Sequence, residues 1–256
     1  MQIDLINKYY IRYFHFRNVI KAIKQVDGKV LDVGCGRGSY ISDIKRIRPE
    51  LDLYGCDLDD KLLKNMKKQF DQANIKITQC DAHKLPFADE NFDAVIMFDV
   101  LEHLEDPEKA LSEVSRVLKR KGVFHLAVPC EADLFTLDGW VSKLFKRNLK
   151  KKPIGHIQQF TFSKMEELLK STGFKIKRTK FSYYIFYQFL SLVYYLYVGL
   201  FRKGEYLPLG ANRGRSFLDR ITQKMKIIGG WLVYLESFSF FWLRGQTAHI
   251  TCIKNG

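Results

Sequence analysis

The sequence predicts an α/β fold built on a largely parallel β-sheet. Five short apolar runs alternate with amphipathic stretches of helical periodicity, which is the pattern of repeated βα units. Each run is nearly continuous in Val, Ile and Leu, as expected of strands buried on both faces. The chain has 256 residues, 46% of them hydrophobic and 27% charged. It can therefore bury one sizeable core, and this composition excludes an intrinsically disordered chain.

The first half of the chain carries the regular alternation. Residues 1–27 are rich in Ile, Tyr and Phe and predict an N-terminal helix that packs on the core. The five predicted strands are residues 29–34, 51–57, 75–81, 92–99 and 122–128. Between them lie the amphipathic stretches that should form helices on the faces of the sheet.

The alternation loosens in the second half. We expect a loop or lid within residues 131–160 and a Ser/Thr-capped helix over residues 161–174. Two further strands are predicted over residues 174–181 and 246–254. The predicted core is therefore made of two separate stretches, residues 28–181 and 245–256, and residues 182–244 form an insertion.

Positive charge is concentrated in the second half of the chain. Residues 1–130 hold 21 Lys and Arg against 20 Asp and Glu, a net charge of +1, whereas residues 131–256 hold 21 against 8, a net charge of +13. The second half also carries 24 of the 36 aromatic residues. Such a surface suits an anionic membrane face, an anionic lipid or a nucleic acid, although a solvated basic face over an aromatic core has the same composition.

Cysteine usage indicates a reducing compartment. The five cysteines are odd in number, well separated and never spaced as C-x-x-C, which argues against a disulfide scaffold and a zinc ribbon. We expect them to be small buried residues rather than reactive thiols. The N-terminal residues carry charges early and contain no signal-peptide pattern, so we expect a cytoplasmic protein.

A glycine-rich turn follows the first predicted strand. Residues 30–38 read VLDVGCGRG, and a helical stretch comes next. Glycines allow a tight turn and close approach of a ligand, and the start of the helix presents free N–H groups. Asp57 ends the second strand 23 residues after Gly34, where a dinucleotide fold places the carboxylate that binds ribose hydroxyls. The NAD fingerprint G-x-G-x-x-G would need glycine at position 39, which is Ser39 here.

Here the sequence resembles the class I S-adenosylmethionine-dependent methyltransferases, and within them the branch of the ubiquinone and menaquinone biosynthesis methyltransferases. The resemblance runs from about residue 28 to 180 and includes VLDVGCGRG, YGCDLD, CDAHKLPFADENFDAV, FDVLEHLEDPEKALSEVSRVLKRKG and GHIQQFTFSKMEELLKSTGF. It implies a Rossmann-like sheet of seven strands. The last strand would be antiparallel and inserted between the fifth and sixth.

The resemblance also implies a set of cofactor-binding residues. Asp32 would approach the amino group of the methionine moiety, and the turn of Gly34, Cys35, Gly36 and Gly38 would admit the methionine part and the ribose. Asp57 would bind the ribose hydroxyls, with Leu58 against the adenine. Asp81 would accept from the adenine amino group beside Ala82, and Phe98 and Asp99 would form the floor of the site.

Three residues are candidates for acid–base work in methyl transfer. Glu102 and His103 follow the fourth strand, at the carboxyl edge where such sheets bind ligands. His103 is a plausible base near neutral pH, and a backbone-bonded histidine at a helix start is the alternative. His156 matches a family position close to the acceptor pocket. A divalent metal held by Asp99, Glu102 and His103 is a further alternative, although we assign no metal.

The acceptor class can be narrowed. Methyltransferases that act on nucleobase amines carry Asn- or Asp-Pro-Pro-aromatic after the fourth strand, whereas this chain has FDVLEH, so base N-methylation is disfavoured. A hydroxyl, a carboxyl or a ring carbon remains open.

The insertion contains two aromatic, apolar segments. Residues 181–201 lack Asp, Glu, Lys and Arg and are long enough to span a bilayer, but six of them are Tyr, which prefers the interface. Residues 227–243 carry Glu236 near their middle, where a carboxylate is costly, and residues 202–226 are basic. We expect two helices that lie in a membrane interface or roof a lipid-like acceptor pocket. A self-buried cap or a homodimer interface is the alternative.

Three functions stay open on sequence alone. The first is methylation of a small amphipathic or lipid-linked acceptor, at the inner face of a membrane. The second is methylation of RNA 2′-hydroxyls through the basic half of the chain, with nucleic acid the less favoured partner. The third is a non-catalytic binding scaffold, against which the intact glycine turn argues.

Overall fold

Seven strands form one sheet with the order β3-β2-β1-β4-β5-β7-β6 in the computed structural model of the chain. The structure describes residues 13–145, 155–201, 231–236, 239 and 243–255. The strands are β1 Lys29–Val33, β2 Asp52–Asp57, β3 Ile75–Gln79, β4 Phe92–Phe98, β5 Leu118–Pro129, β6 Phe174–Ser182 and β7 Thr247–Lys254.

The topology agrees with the prediction from the family resemblance. Strands β1 to β5 pair in parallel, and β7 runs antiparallel to both of its neighbours, β5 and β6. The parallel α/β prediction, the number of strands and the place of the antiparallel strand are all confirmed.

Helices cover both faces of this sheet. They are α1 Tyr13–Ala22, α2 Ser39–Ile47, α3 Asp60–Gln72, α4 Pro107–Val117, α5 Leu137–Phe145, α6 Phe162–Ser171 and α7 Ile185–Phe201, and residues 231–236 are also helical. Helices α1, α2 and α3 share one apolar core with the sheet, and α4 and α6 share the other. Successive side chains of β1 alternate between these cores, because Val30 packs in the first and Leu31 in the second.

Two sequence expectations were wrong in detail. Residues 131–160 were expected to form a loop or lid, but they contain helix α5, which is capped where the Thr136 Oγ1 accepts from the Gly139 N–H at 3.0 Å. The cysteines were expected to be separate buried thiols, but Cys56 and Cys80 form a disulfide. These two lie at the carboxyl ends of the paired strands β2 and β3, which brings their Cα atoms to 5.6 Å.

The predicted terminal and inserted segments are described only in part. Helix α1 begins at Tyr13, so residues 1–12 of the expected N-terminal helix lie outside the described residues. The first inserted segment forms α7, whereas residues 202–230 and most of 237–242 lie outside them as well. Among the residues that are described, no helix has the length and apolar character needed to cross a membrane.

Candidate cofactor and acceptor site

The glycine-rich turn connects β1 to α2 at the carboxyl edge of the sheet. Gly34, Gly36 and Gly38 all have positive φ, at 73°, 52° and 69°. The amides of Gly34 and Cys35 donate to the Cys56 carbonyl at 2.8 and 3.0 Å, which ties the turn to the end of β2. The turn is therefore held by the neighbouring strand, and α2 begins directly after it at Ser39.

The three glycines differ in the space beside them, which shows which of them are required by packing and which one leaves room for a ligand. A Cβ atom at Gly34 would overlap the Val100 side chain, and one at Gly38 would overlap the Phe70 ring. A Cβ atom at Gly36 would meet no atom of the described residues within 4 Å. Gly36 therefore faces open space, as a residue that admits a ligand must.

Asp57 lies against this turn at the end of β2. Its Oδ2 accepts from the Gly36 N–H at 2.8 Å, and its Oδ1 accepts from the Asp59 N–H at 3.0 Å. The next residue, Leu58, is exposed beside it. Cys35, the remaining expected turn residue, is buried, and burial raises the pKa of its thiol, so it is an unreactive packing residue.

Asp32 is a buried carboxylic acid beneath the turn. It is 2% exposed in the middle of the sheet, and its Oδ2 makes no hydrogen bond with the described residues. Burial raises the pKa of Asp32 well above its ordinary value, and the nearby charge of Asp57 raises it further. A buried oxygen in this state favours a donor or cationic group of a ligand as its partner.

Asp81 and Ala82 follow β3 at the same edge. The Asp81 Oδ1 accepts from the backbone N–H of His83 at 2.9 Å and lies 2.7 Å from the His83 Nδ1. These hydrogen bonds, that of the backbone first, lower the pKa of Asp81, so it is ionised at neutral pH. Its side chain is largely exposed, whereas Ala82 is buried.

A third group of residues surrounds the end of β4. The Phe98 ring packs against the Tyr40 ring with centroids 4.6 Å apart. Asp99 has the unusual φ of 51°, and its Oδ2 lies 3.4 Å from the Nε2 of the buried His15 of α1. The His15 Nδ1 lies 3.1 Å from the hydroxyl of Tyr183. Helix α1 thus contacts Asp99, which is expected to form the floor of the site, and its His15 also contacts Tyr183 at the start of the insertion.

A cluster of three predicted catalytic residues lies just after β4. It consists of Glu102, His103 and His156. Each can offer one ligand atom, and these atoms lie within 4.8 Å of one another. Glu102 and His156 are buried, with 3.8 Å between Glu102 Oε1 and His156 Nε2, whereas His103 is exposed. The structure therefore joins all three predicted catalytic residues. It leaves Asp99 out of the cluster that could hold a metal ion and adds His156 instead.

Two further contacts orient the histidines. The His156 Nδ1 lies 3.1 and 3.2 Å from the two carboxylate oxygens of the buried Glu131. The His103 Nδ1 lies 3.1 Å from the Gly155 carbonyl. Because a carbonyl only accepts, Nδ1 of His103 carries the hydrogen, and Nε2 keeps its lone pair. Partial desolvation of the His103 ring and the neighbouring His156 lower the pKa of His103.

The residues present fit S-adenosylmethionine. The open side of Gly36 leaves room beside the backbone, and the Asp32 oxygen without a hydrogen bond to the described residues suits an amino group. The Asp57 carboxylate holds the turn and keeps acceptor capacity for hydroxyl groups. The Gly36 N–H already donates to the Asp57 carboxylate, whose negative charge would oppose a pyrophosphate at this turn.

His15, Tyr40, Tyr183 and Glu131 were not predicted from the sequence as site residues. Their contacts join residues far apart in the chain, and no local pattern marks them. His125 and His249 belong to β5 and β7, within two of the strands predicted from the sequence.

Comparison with known families gives a consistent assignment. The model of the methyltransferase domain family matches residues 31–126. The chain is 38% identical, over 104 residues, to the ubiquinone/menaquinone biosynthesis C-methyltransferase of Desulfotalea psychrophila, which covers 41% of this chain and 42% of that protein. It is 34% identical to the fatty-acid O-methyltransferase of Mycolicibacterium smegmatis, over 47% of this chain and 43% of that protein. The chain thus spans less than half the length of these two relatives.

A longer match extends beyond the cofactor-binding half. An uncharacterised protein of Methanocaldococcus jannaschii is 30% identical over 169 residues, which are 64% of this chain and 75% of that protein. Among solved structures, the phosphoethanolamine N-methyltransferase 2 of Haemonchus contortus, in complex with S-adenosyl-L-methionine, superimposes with a TM-score of 0.54 at 17% identity. That alignment covers 94% of this chain and 52% of the other, and it supports the fold alone. The turn, the strand order and these matches agree, and the chain belongs to the class I S-adenosylmethionine-dependent methyltransferases.

Proposed function

We propose that the protein transfers a methyl group from S-adenosylmethionine to a hydroxyl, carboxyl or carbon atom of a small amphipathic or lipid-linked acceptor. One observation carries this choice of acceptor, an apolar groove of about 630 Å³. It is lined by Leu137, Ile185, Phe186, Phe189, Leu232 and Leu235, together with Glu236 and Ser239. Its volume lies in the range of small-molecule sites, and its lining suits a hydrocarbon chain better than a polar polymer.

A continuous series of contacts connects this groove to the end of β4. Glu236 is buried under the groove and accepts from the N–H groups of Phe186 and Tyr187 at 2.7 and 3.4 Å. The Tyr187 ring stacks on the Tyr183 ring with centroids 4.3 Å apart. Tyr183 in turn contacts His15, which contacts Asp99. An acceptor whose chain occupies the groove would have its polar end directed toward this edge of the sheet.

The names of two relatives support the same class of acceptor. One is a C-methyltransferase of quinone biosynthesis, and the other is an O-methyltransferase of fatty acids. Their matches cover less than half of this chain, so they favour a lipophilic acceptor without specifying it. We propose that residues 182–244 form the acceptor cap, that residues 28–181 with 245–256 form the core, and that the protein works at the inner face of a membrane.

We assign roles to the residues of the site as part of this proposal. The turn of Gly34, Cys35, Gly36 and Gly38, with Asp32, Asp57, Leu58, Asp81, Ala82 and Phe98, holds the cofactor. When bound, S-adenosylmethionine supplies a methyl group on a positively charged sulfur. The chain aligns the acceptor with that methyl group, and alignment accounts for much of the acceleration.

His103 is the proposed base for an acceptor that must lose a proton. Its lone pair is on Nε2, and its lowered pKa keeps the ring neutral at physiological pH. That nitrogen would take the proton that the acceptor loses on methylation. His156, held by Glu131 and close to Glu102, would orient this ring, and the negative charge of Glu131 would stabilise its protonated form.

A second candidate function is methylation of RNA 2′-hydroxyls with the help of a metal ion. It is favoured by the cluster of Glu102, His103 and His156, whose residue types bind divalent transition metals. On this account the metal would replace His103 as the group that activates the hydroxyl. It predicts that activity requires a divalent ion and that binding to RNA weakens steeply with salt.

One assay distinguishes the candidates. The protein is incubated with methyl-labelled S-adenosylmethionine and, separately, a long-chain fatty acid, a demethylated quinone, a polar lipid extract or total RNA, each with and without a chelator. We expect label in a lipid acceptor and none in RNA, with no loss after chelation. Chelator-sensitive label in RNA would support the second function. Cofactor binding without label in any acceptor would support a non-catalytic scaffold.

A further inference from the structure

Helix α5 exposes large apolar side chains on one face. Trp140 and Leu144 are one helical turn apart and are 62% and 74% exposed, and Phe135, just before the helix, is 69% exposed. The opposite side of α5 is anchored, since Asp138 accepts a hydrogen bond from Gln246 and the Ser142 hydroxyl donates to Gln159 at 3.0 Å. The exposed face is therefore a fixed feature of the surface.

The α5 face continues onto α7. Ile185, Phe189 and Val193 form an exposed stripe at intervals of four residues along α7. Leu137, which lies on the same face of α5 as Trp140 and Leu144, lines the apolar groove together with Ile185 and Phe189. The two helices thus present one continuous apolar surface with the groove in its middle. Soluble monomers seldom expose such a surface without an interaction partner.

The charges around this surface have one sign. In the described residues of 131–145, 185–201, 231–236 and 243–245, all four carboxylates are buried, namely Glu131, Asp133, Asp138 and Glu236. The charged side chains exposed in the same residues are Lys143 and Arg244, and the Arg244 guanidinium lies over the Phe135 ring at 5.5 Å. The sequence that follows α5 is KRNLKKK.

The exposed apolar surface and its positively charged edge together favour an anionic bilayer as the binding partner. An apolar face with Trp at its surface and cations at its edge is the composition of elements that lie in a membrane interface. A second copy of the chain on the same face would bring Lys143 and Arg244 of both copies together without an exposed carboxylate in these segments to oppose them. An acidic membrane surface supplies the missing negative charge.

We propose that the joined faces of α5 and α7, with Phe135, Trp140 and Leu144 on the α5 side of the groove, dock on the surface of an anionic phospholipid membrane. This rests on the proposed function, because it opens the groove toward the bilayer from which a lipophilic acceptor would enter. It assigns membrane contact to α5, which lies outside the inserted residues 182–244.

Vesicle binding tests the docking surface directly. The full chain is sedimented with vesicles of phosphatidylcholine alone and of phosphatidylcholine mixed with phosphatidylglycerol. We expect binding to the anionic vesicles only, weakened by salt, with a loss of at least about tenfold in partitioning for the double variant Trp140→Ser/Leu144→Ser. Lys143→Glu should lower partitioning to the anionic vesicles about fivefold to tenfold. The same charge reversal at the exposed Lys68 of α3 should change this partitioning less than twofold.

Three outcomes would overturn the proposal. Absence of vesicle binding, or equal binding by the Lys143 and Lys68 variants, would exclude this surface as the membrane contact. Self-association that the Trp140→Ser/Leu144→Ser variant abolishes, without vesicle binding, would show that a second copy covers the face. Unchanged circular dichroism of the variants excludes unfolding as the cause. Vesicle binding needs no methyl transfer, so a protein that binds vesicles but methylates no lipid would refute the proposed function alone.

Discussion

His15 of α1 lies 3.4 Å from Asp99 at the end of β4, measured from Nε2 to Oδ2. His15 is buried, and its other ring nitrogen contacts the hydroxyl of Tyr183 at 3.1 Å. Asp99 and Tyr183 both have positive φ, at 51° and 61°. One imidazole thus links two backbone positions in an uncommon conformation, one at the expected floor of the cofactor site and one at the start of the insertion.

This contact predicts energetic coupling between the two residues. We expect His15→Gln and Asp99→Asn each to lower the free energy of unfolding. The sum of these two losses should differ by about 0.5–1.5 kcal/mol from the loss measured in the double variant. Urea unfolding of the four proteins measures this difference. The pair His15→Gln with Asp60→Asn on α3 is the control and should be additive. Additivity within about 0.3 kcal/mol for His15 and Asp99 would show that the contact contributes nothing.

The glycines of the turn should respond differently to alanine. Gly36→Ala adds a Cβ in open space, so we expect a loss of about 1 kcal/mol in stability from the positive φ and at least a tenfold weaker affinity for S-adenosylmethionine. Gly38→Ala meets the buried Phe70 ring, so its stability loss should be larger, about 2–4 kcal/mol. Urea unfolding and titration calorimetry measure the two effects. Unchanged affinity for S-adenosylmethionine in Gly36→Ala would contradict the proposal that the open space beside Gly36 admits the cofactor.

The buried histidines of the sheet predict a loss of stability in acid. Burial, the largest cause, lowers the pKa of His125 to about 3 and that of His249 well below its ordinary value. The unfolded chain, with ordinary histidines, then binds more protons than the native chain between about pH 3 and 6.5, so native stability falls as the pH falls through this window. Each histidine can contribute up to about 1.4 kcal/mol per pH unit.

Urea unfolding between pH 7 and pH 5 checks this dependence. The variant His125→Gln keeps a polar side chain beside the Thr251 hydroxyl, which lies 2.9 Å from the His125 Nδ1. We expect this variant to lose less stability on acidification than the native chain does. Parallel stability curves for the two proteins would refute the assignment of a depressed pKa to His125.

The features predicted correctly from the sequence are those with a local signature. Strands β1 to β5 appear as short apolar runs, and the turn from Gly34 to Gly38 appears as closely spaced glycines after such a run. The place of β7 between β5 and β6 has no local signature and came from the family resemblance. Glu102, His103 and His156 were singled out as candidates, but the cluster they form joins a short turn to a segment more than 50 residues away.

The features that were missed depend on contacts made only after folding. His15 is one of several aromatic residues in α1, and its role follows from a contact with Asp99, 84 residues later. The pairing of Cys56 with Cys80 follows from the register of β2 and β3. Helix α5 lies in a stretch that was expected to form a loop or lid, and the Thr136 cap and the contact with α7 stabilise it as a helix.

Titration of the protein with S-adenosylmethionine tests the central claim, that the turn and Asp57 bind this cofactor. We expect saturable binding by calorimetry, at least tenfold weaker in Asp57→Ala, which corresponds to about 1.4 kcal/mol or more, and unchanged in Asp60→Asn. Absence of binding by the native chain, or binding of a nicotinamide dinucleotide in its place, would contradict the account.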